Sequence, residues 1–340
     1  MTANPVLVEV TRGGVVESRH RGAFVVSDAS GKIVHAGGDP DMPVYPRSAA
    51  KPLQALPLIE TGAADRFALT DAEIALACAS HKGEPRHVSA VKAWLSRIGL
   101  SPDALECGTQ MPRTAEAANA VIREGTALDA AYHNCSGKHT GFLTACVHCG
   151  NDPKGYIEPE HPAQLRVTKA LSEMTGADLA HIVRGRDGCG IPVFYMPLRS
   201  LAVGMARLAD PSRLEPDRAT AARRILDAMA AQPFYVNGTD GFTTEVMRVA
   251  PATVRAKGGY EGVYTAALPA QGLGIALKID DGAMRGAECA MANILKGLGC
   301  FTPAQEETLT PFIHAEIRTN AGRPAGDVRP TEALAFSHTI

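Results

Sequence analysis

Apolar and polar positions change rhythm twice along this chain. Short apolar runs at Val6–Val10, Gly14–Glu17, Ala23–Ser27 and Lys32–His35 are broken by turn signals such as Gly13-Gly14 and Ser30-Gly31. Runs of that length with such breaks predict strands joined as hairpins. From about residue 48 to 235 the spacing becomes helical. Thr70 and Glu73 have capping-box spacing ahead of Ile74-Ala75-Leu76-Ala77. Val88–Ile98 and Pro162–Met174 carry helical periodicity with Gly99 and Gly176 just beyond, and Ala219–Ala231 is stopped by Pro233. Strand-like runs return at Ala252–Lys257, Gly262–Ala267 and Gly272–Ile279, followed by a helix over Ala283–Leu298.

Strands on both sides of a helical stretch predict an α+β fold, with one antiparallel sheet drawn from both ends and the helices folded against it. The corresponding division is a sheet-containing part at residues 1–47 and 240–340 and a mainly helical part at 48–239, forming one catalytic unit. No internal repeat or low-complexity segment is visible.

Composition narrows the function. Of 340 residues 45% are hydrophobic, enough for a sizeable core and against intrinsic disorder. Lys plus Arg number 34 and Asp plus Glu 36, a balance with no electrostatic footprint for nucleic acid or anionic lipid. No apolar run approaches the ~20 residues a membrane span needs. The first residues, MTANPVLVEVTRGG, do not read as a signal peptide, so a cytoplasmic protein is expected. In that setting the eight cysteines are expected as thiols or metal ligands, not a disulfide framework.

Five stretches carry reactive side chains. In Arg47-Ser48-Ala49-Ala50-Lys51-Pro52, Pro52 suits the first turn of a helix, so a helix is expected to begin near Ser48. Ser48 and Lys51 would then share a face about 5–6 Å apart. The helix dipole opposes a charged Lys51, and burial would depress its pKa further, leaving a neutral amine as general base for the hydroxyl. S-x-x-K alone is short and common. Ala79-Ser80-His81-Lys82 follows an apolar helix and is either a solvated loop or a relay serine beside a carbonyl-polarising histidine. Asn134-Cys135-Ser136-Gly137-Lys138-His139 is too rich in functional side chains for packing alone, and Cys135 is a plausible thiolate ligand. Arg186-Asp187-Gly188-Cys189 reads as a tight turn displaying Asp187 and Cys189. Lys257-Gly258-Gly259 on a late strand permits close approach to the backbone, or is a hairpin turn with a solvated lysine. The C-x2-C at Cys146 and Cys149 sits on an apolar helix-like run with no second such pair, and is equally a buried cysteine pair.

Together Ser48/Lys51, Ser80 and Lys257/Gly259 follow the order of the serine β-lactamases and penicillin-binding proteins, although Ser80-His81-Lys82 stands where those have S-x-N. Adding Cys135-Ser136-Gly137-Lys138-His139 and Asp187-Gly188-Cys189, the chain resembles the rhizobial-type, class 3 L-asparaginases of the asparaginase II family over residues 10–300. The resemblance implies a serine β-lactamase-like fold, a homodimer, and hydrolysis of L-asparagine to L-aspartate and ammonia. It implies two serine–lysine pairs, Ser48/Lys51 and Ser80/Lys257, and a zinc held by Cys135, Lys138 and Cys189 with water completing the site. Arg47, His81, His139 and Asp187 match positions near the family's substrate pocket. In the mechanism so implied, Ser48 attacks the side-chain amide, Ser80 and Lys257 relay protons, and the zinc orients substrate. Two rivals stand beside it: another S-x-x-K amidohydrolase such as a β-lactamase or D,D-peptidase, and a non-catalytic zinc-binding regulator.

Overall fold

The computed structural model describes residues 3–335. Residues 1–2 and 336–340, the extremes of the sheet-containing part expected from sequence, lie outside the described residues. The chain is mixed α and β. In order, the strands are β1 (Val6–Arg12), β2 (Val15–Asp28), β3 (Ile33–Gly37), β4 (Pro43–Val44), β5 (Arg184–Arg186), β6 (Pro192–Phe194), β7 (Met196–Pro197), β8 (Arg255–Gly258), β9 (Val263–Leu268), β10 (Leu273–Ile279), β11 (Ala315–Arg318) and β12 (Pro324–Pro330). Eight of them form one sheet in the order β11-β12-β1-β2-β10-β9-β8, with β3 on β2, and every pairing is antiparallel.

The sheet is organised by β2. Two separate strands are expected within residues 14–27, whereas the structure has one strand of 14 residues. Its first half pairs with β1 and its second half with β10 on one side and β3 on the other. The polar stretch Ser18-Arg19-His20-Arg21 looks like a break in sequence, but its side chains alternate between solvent and interior while the backbone continues. Residues 23–26 are then buried without interruption, as are all six of β9, so both faces of this part of the sheet are covered. Helices Leu198–Ala209 and Met284–Gly297 pack on it. β11 and β12, which carry no strong strand signal, add an edge beyond β1.

The middle of the chain holds most helices and also the three short strands β5–β7. Helix Asp71–Ala77 opens with the capping box that Thr70 and Glu73 predict: Glu73 N–H donates to Thr70 Oγ1 and Thr70 N–H to the Glu73 carboxylate at 2.8 Å. Helix Ser136–His148 is buried from Ser136 through Cys146. Its approach to helix Asp71–Ala77 depends on Gly137, where a Cβ would collide with the carbonyl of Leu76. A bulkier residue there would push apart the two elements that carry Ser80 and Cys135.

Candidate active site

The turn bearing Ser48 begins as a 3-10 helix over Arg47–Ala50 and runs on into helix Lys51–Gln54, with Pro52 in its first turn. Arg47 has φ of 49°, a left-handed conformation that costs energy in a residue with a side chain. An ion pair with Asp187 at 2.7 Å fixes it there, and its guanidinium lies 5.7 Å from the centre of the Tyr260 ring. From the other side β8 holds the turn. Lys257 and Thr265 are register partners on adjacent strands, so their side chains share a face. Thr265 donates its hydroxyl proton to the carbonyl of Ala49 at 2.9 Å. A Cβ on Gly259 would stand 2.9 Å from the Ala49 nitrogen and 3.0 Å from the Pro46 oxygen, which is why glycine is needed there.

These contacts gather Ser48, Lys51, Ser80 and Lys257, all buried. Ser80 and Lys257 are paired as the resemblance implies, whereas Lys51 does not bond to Ser48. Lys51 Nζ reaches the Ala79 carbonyl, Ser80 Oγ at 3.0 Å and Cys135 Sγ at 3.1 Å. Lys257 Nζ reaches Ser80 Oγ at 2.9 Å and the Gly258 carbonyl at 2.6 Å. Ser80 therefore lies between two lysines, while Ser48 Oγ has no hydrogen-bond partner among the described residues. Spacing alone places Lys51 beside Ser48; the deep pocket formed by the 79–80 loop draws the amine to Ser80 instead. That loop is pinned by Ser80 N–H to Val236 O at 2.9 Å and His81 N–H to Asn134 O at 3.1 Å.

Burial pulls the pKa of Lys51 below its ordinary value, with Cys135 opposing. Burial, then the neighbouring Lys51, pulls that of Lys257 far below. Two ammonium groups cannot both stand against one hydroxyl in a dry site, so at least one amine is neutral and able to accept a proton.

Two chambers open on Ser48. One, of about 110 Å³, is bounded by Ser48, Ser80, Arg113, Tyr260, Tyr264 and Glu288, among others. The other, of about 230 Å³, is bounded by Arg47, Ser48, Asn134, Cys135, Asp187, Cys189 and Tyr260. Ser48 and Tyr260 form the wall shared by both. Their backbone N–H groups find no acceptor among the described residues, so two donors are left for a substrate oxygen at this junction.

Cys189 comes together with Cys135 and Lys138, which lie about 50 positions earlier in sequence, at the second chamber. Lys138 Nζ is 3.1 Å from Cys189 Sγ. The hydrogen bond with Cys135, helped by Lys138 and resisted by burial, lowers the Cys189 thiol to about 5. Burial opposes charge on Lys138, but Cys189, Cys135 and Asp187 outweigh it and raise its pKa. Burial resists ionisation of Asp187, yet Lys138 and Arg47 hold its carboxyl below the usual range. Among the described residues no group of three or more His, Cys, Asp and Glu side chains gathers around one point. The cluster here is two thiols and an amine beside an open chamber. Two thiolates and, once its proton is displaced, the Lys138 amine would leave a four-coordinate zinc one position for solvent or substrate. Cys146 is buried and Cys149 half-buried at the end of helix Ser136–His148, and burial pushes the Cys146 thiol up to about 11, so this pair behaves as packing.

His81 and His139 are buried and border neither chamber. His81 Nε2 meets Ser136 Oγ at 2.9 Å and its ring stacks on His87 with centroids 4.9 Å apart. His139 Nδ1 meets the Tyr156 hydroxyl at 2.6 Å. Both brace the walls from behind. Arg113, Tyr260 and Glu288, by contrast, border the serine chamber and go unremarked in the sequence. For Glu288 a signal existed: a single acid set between the small and apolar residues Gly286-Ala287 and Cys289-Ala290-Met291.

Among solved structures the chain is similar to Mglu in its native form, with 17% identity and a TM-score of 0.43, covering 79% of this chain and 63% of that one. It is also similar to a β-lactamase from Mycobacterium bovis, with 15% identity, a TM-score of 0.36, and 85% and 93% coverage. A third is simvastatin synthase from Aspergillus terreus, with 12% identity, a TM-score of 0.37, and 76% and 86% coverage. Among curated proteins none matches. The family description L-asparaginase II matches residues 8–330, nearly the whole sequence in which these serines, lysines and thiols were found, and the chain therefore belongs to the L-asparaginase II family.

Proposed function

We propose that the protein hydrolyses L-asparagine to L-aspartate and ammonia by serine–lysine acyl transfer on a serine β-lactamase-like scaffold. The observation that carries this reading is the buried chain Lys51–Ser80–Lys257 beside the unpartnered hydroxyl of Ser48. Family membership supplies the amide-hydrolysing class. Ser48 is the better nucleophile because both its lone pairs are free, whereas Ser80 accepts from one amine and donates to the other.

In this reading the side-chain amide carbon lies over Ser48, with its oxygen at the N–H groups of Ser48 and Tyr260. As Ser48 Oγ bonds to that carbon, its proton passes to Ser80, and Ser80 hands its own proton to a neutral lysine. The tetrahedral intermediate collapses with cleavage of the C–N bond, and the same relay returns the proton to the departing nitrogen as ammonia. Water then cleaves the β-aspartyl ester by the reverse path. Each oxyanion donor contributes about 3–4 kcal/mol in comparable sites. Arg47 and Asp187, paired with each other, hold the strained turn that aims Ser48, while His81 and His139 bond to Ser136 and Tyr156 behind the chambers. Cys135, Lys138 and Cys189 would hold zinc, which when bound supplies a fixed positive charge that orients substrate beside Ser48.

The test is ammonia release from L-asparagine, with mass spectrometry of enzyme quenched during slow turnover. Release by the wild type, a loss of at least ~10³-fold in kcat for Ser48→Ala, and an acyl group on the Ser48 peptide are expected. An acyl group on Ser80 would exchange the two serines, and absence of turnover would remove the hydrolase reading.

A further inference from the structure

The two chambers differ in how their charges are satisfied. In the chamber beside the thiols the charged pair Arg47–Asp187 is closed on itself, and Asp187 also accepts from the Gly188 N–H at 2.8 Å. In the serine chamber the charges are open. Glu288 projects from helix Met284–Gly297 into the cavity that Ser48 and Ser80 border, and it makes no ion pair or hydrogen bond with any described residue. Its surroundings are Tyr264, Met284 and Thr243, and burial, with Lys82 opposing, raises the carboxyl to about 7. Tyr264 makes no hydrogen bond to it; the tyrosine hydroxyl pairs with Thr243 instead. Arg113 stands at the exposed rim of the same chamber, its guanidinium over the Tyr260 ring at 5.1 Å and bonded to the Tyr260 hydroxyl, with no carboxylate partner among the described residues.

A half-buried anion without a partner is costly unless a ligand completes it. A cation left open on the same wall gives the cavity both signs. At about 110 Å³ the space suits one small molecule and excludes a polymer. The ligand that answers all of this is a free amino acid. Its α-ammonium would meet Glu288, its α-carboxylate Arg113, and its side-chain amide the two serines.

We propose that Glu288 and Arg113 form a clamp for the α-ammonium and α-carboxylate of the substrate, so that the enzyme selects the free amino acid over amides that lack either charge. This rests on the asparagine-hydrolase reading above and deepens it. The clamp places the α-ammonium and α-carboxylate of the substrate in the serine chamber and leaves Arg47–Asp187 a scaffold pair.

The experiment compares L-asparagine with succinamate, which lacks the ammonium, and with 3-aminopropanamide, which lacks the α-carboxylate. Wild type is expected to favour L-asparagine over succinamate by about 100-fold or more in kcat/KM. Glu288→Gln should cut that preference to below ~10-fold, mainly through KM, and Glu288→Asp should restore part of it. Arg113→Gln should weaken L-asparagine and succinamate and leave 3-aminopropanamide unchanged. An undiminished preference in Glu288→Gln overturns the clamp, as does its disappearance in Asp187→Asn with Glu288→Gln unaffected. Calorimetry with L-aspartate and succinate separates the two proposals, since it needs no turnover. If wild type releases no ammonia yet binds L-aspartate more tightly than succinate, and Glu288→Gln does not, the clamp stands and the hydrolase reading falls. Equal binding of the two diacids by wild type overturns the clamp.

Discussion

At the scale of single residues, the proposed relay needs a neutral amine, and burial pulls the pKa of both Lys51 and Lys257 down. Lys257 is fully enclosed, and among the described residues its nitrogen bonds to Ser80 Oγ and the Gly258 carbonyl. Replacing it by Met removes a buried ionisable group and fills similar space, so stability should change little or rise. The relay would lose one end. For Lys257→Met we expect kcat to fall by about 10²–10⁴-fold with an unchanged circular dichroism spectrum, measured by ammonia release. Because burial and then Lys51 pull the pKa of this amine far down, activity should decline as pH falls far enough to charge both lysines. An activity that rises toward acid pH would contradict a neutral-amine relay.

At the scale of elements, position is set by close approach. Gly259 is the clearest case, since the atoms an added Cβ would meet are backbone atoms of the turn that carries Ser48. Gly259→Ala must displace that turn by some tenths of an ångström. A drop in kcat/KM of about 10–100-fold with a lowered Tm is expected, because misplacement of that order near a reacting atom is expensive. Wild-type kinetics in this variant would show that β8 does not position Ser48. The helices were legible because each announces its ends: Thr70 with Glu73, Pro162 with Gly176, and Pro233 after Ala231 all mark boundaries close to those observed. β11 and β12 were not, since half-exposed edge strands such as Ala315-Glu316-Ile317-Arg318 leave little apolar signal. The serines, lysines and thiols stand out as residue types, and the Ser80–Lys257 pair follows from the resemblance, but the partner of Lys51 does not. Lys51 was matched to Ser48 by helical spacing, a local rule. The actual bond to Ser80 depends on a loop folding over from another element, 29 positions away. Glu288 shows the same limit: one acid set between small and apolar residues becomes meaningful only when the cavity behind it is visible.

At the scale of the molecule, burying so many titratable groups has a cost at low pH. His81, His87 and His139 are each held below the ordinary histidine pKa, with burial the first cause in every case. The unfolded chain therefore binds more protons than the folded one as pH drops through about 6.5, and stability rises with pH across that window. Chemical denaturation midpoints should fall progressively below pH 6.5, by up to ~1.4 kcal/mol per pH unit for each histidine involved. His87→Phe, which keeps a ring against Phe234, should flatten that dependence. A wild-type stability independent of pH between 5 and 7 would show that these imidazoles titrate alike in the folded and unfolded chain.

The partnership between Ser80 and Lys257 spans 177 positions. Lys257 sits on β8, which joins the sheet only through β9 and β10, and β10 in turn pairs with β2 near the start of the chain. During translation, both serines and the first amine thus emerge long before the strand that completes them. A nascent polypeptide shorter than about 279 residues has no framework to seat its second amine. Competence to hydrolyse is consequently gained late, once synthesis has delivered the strands that close the sheet, and it serves as a readout of finished folding.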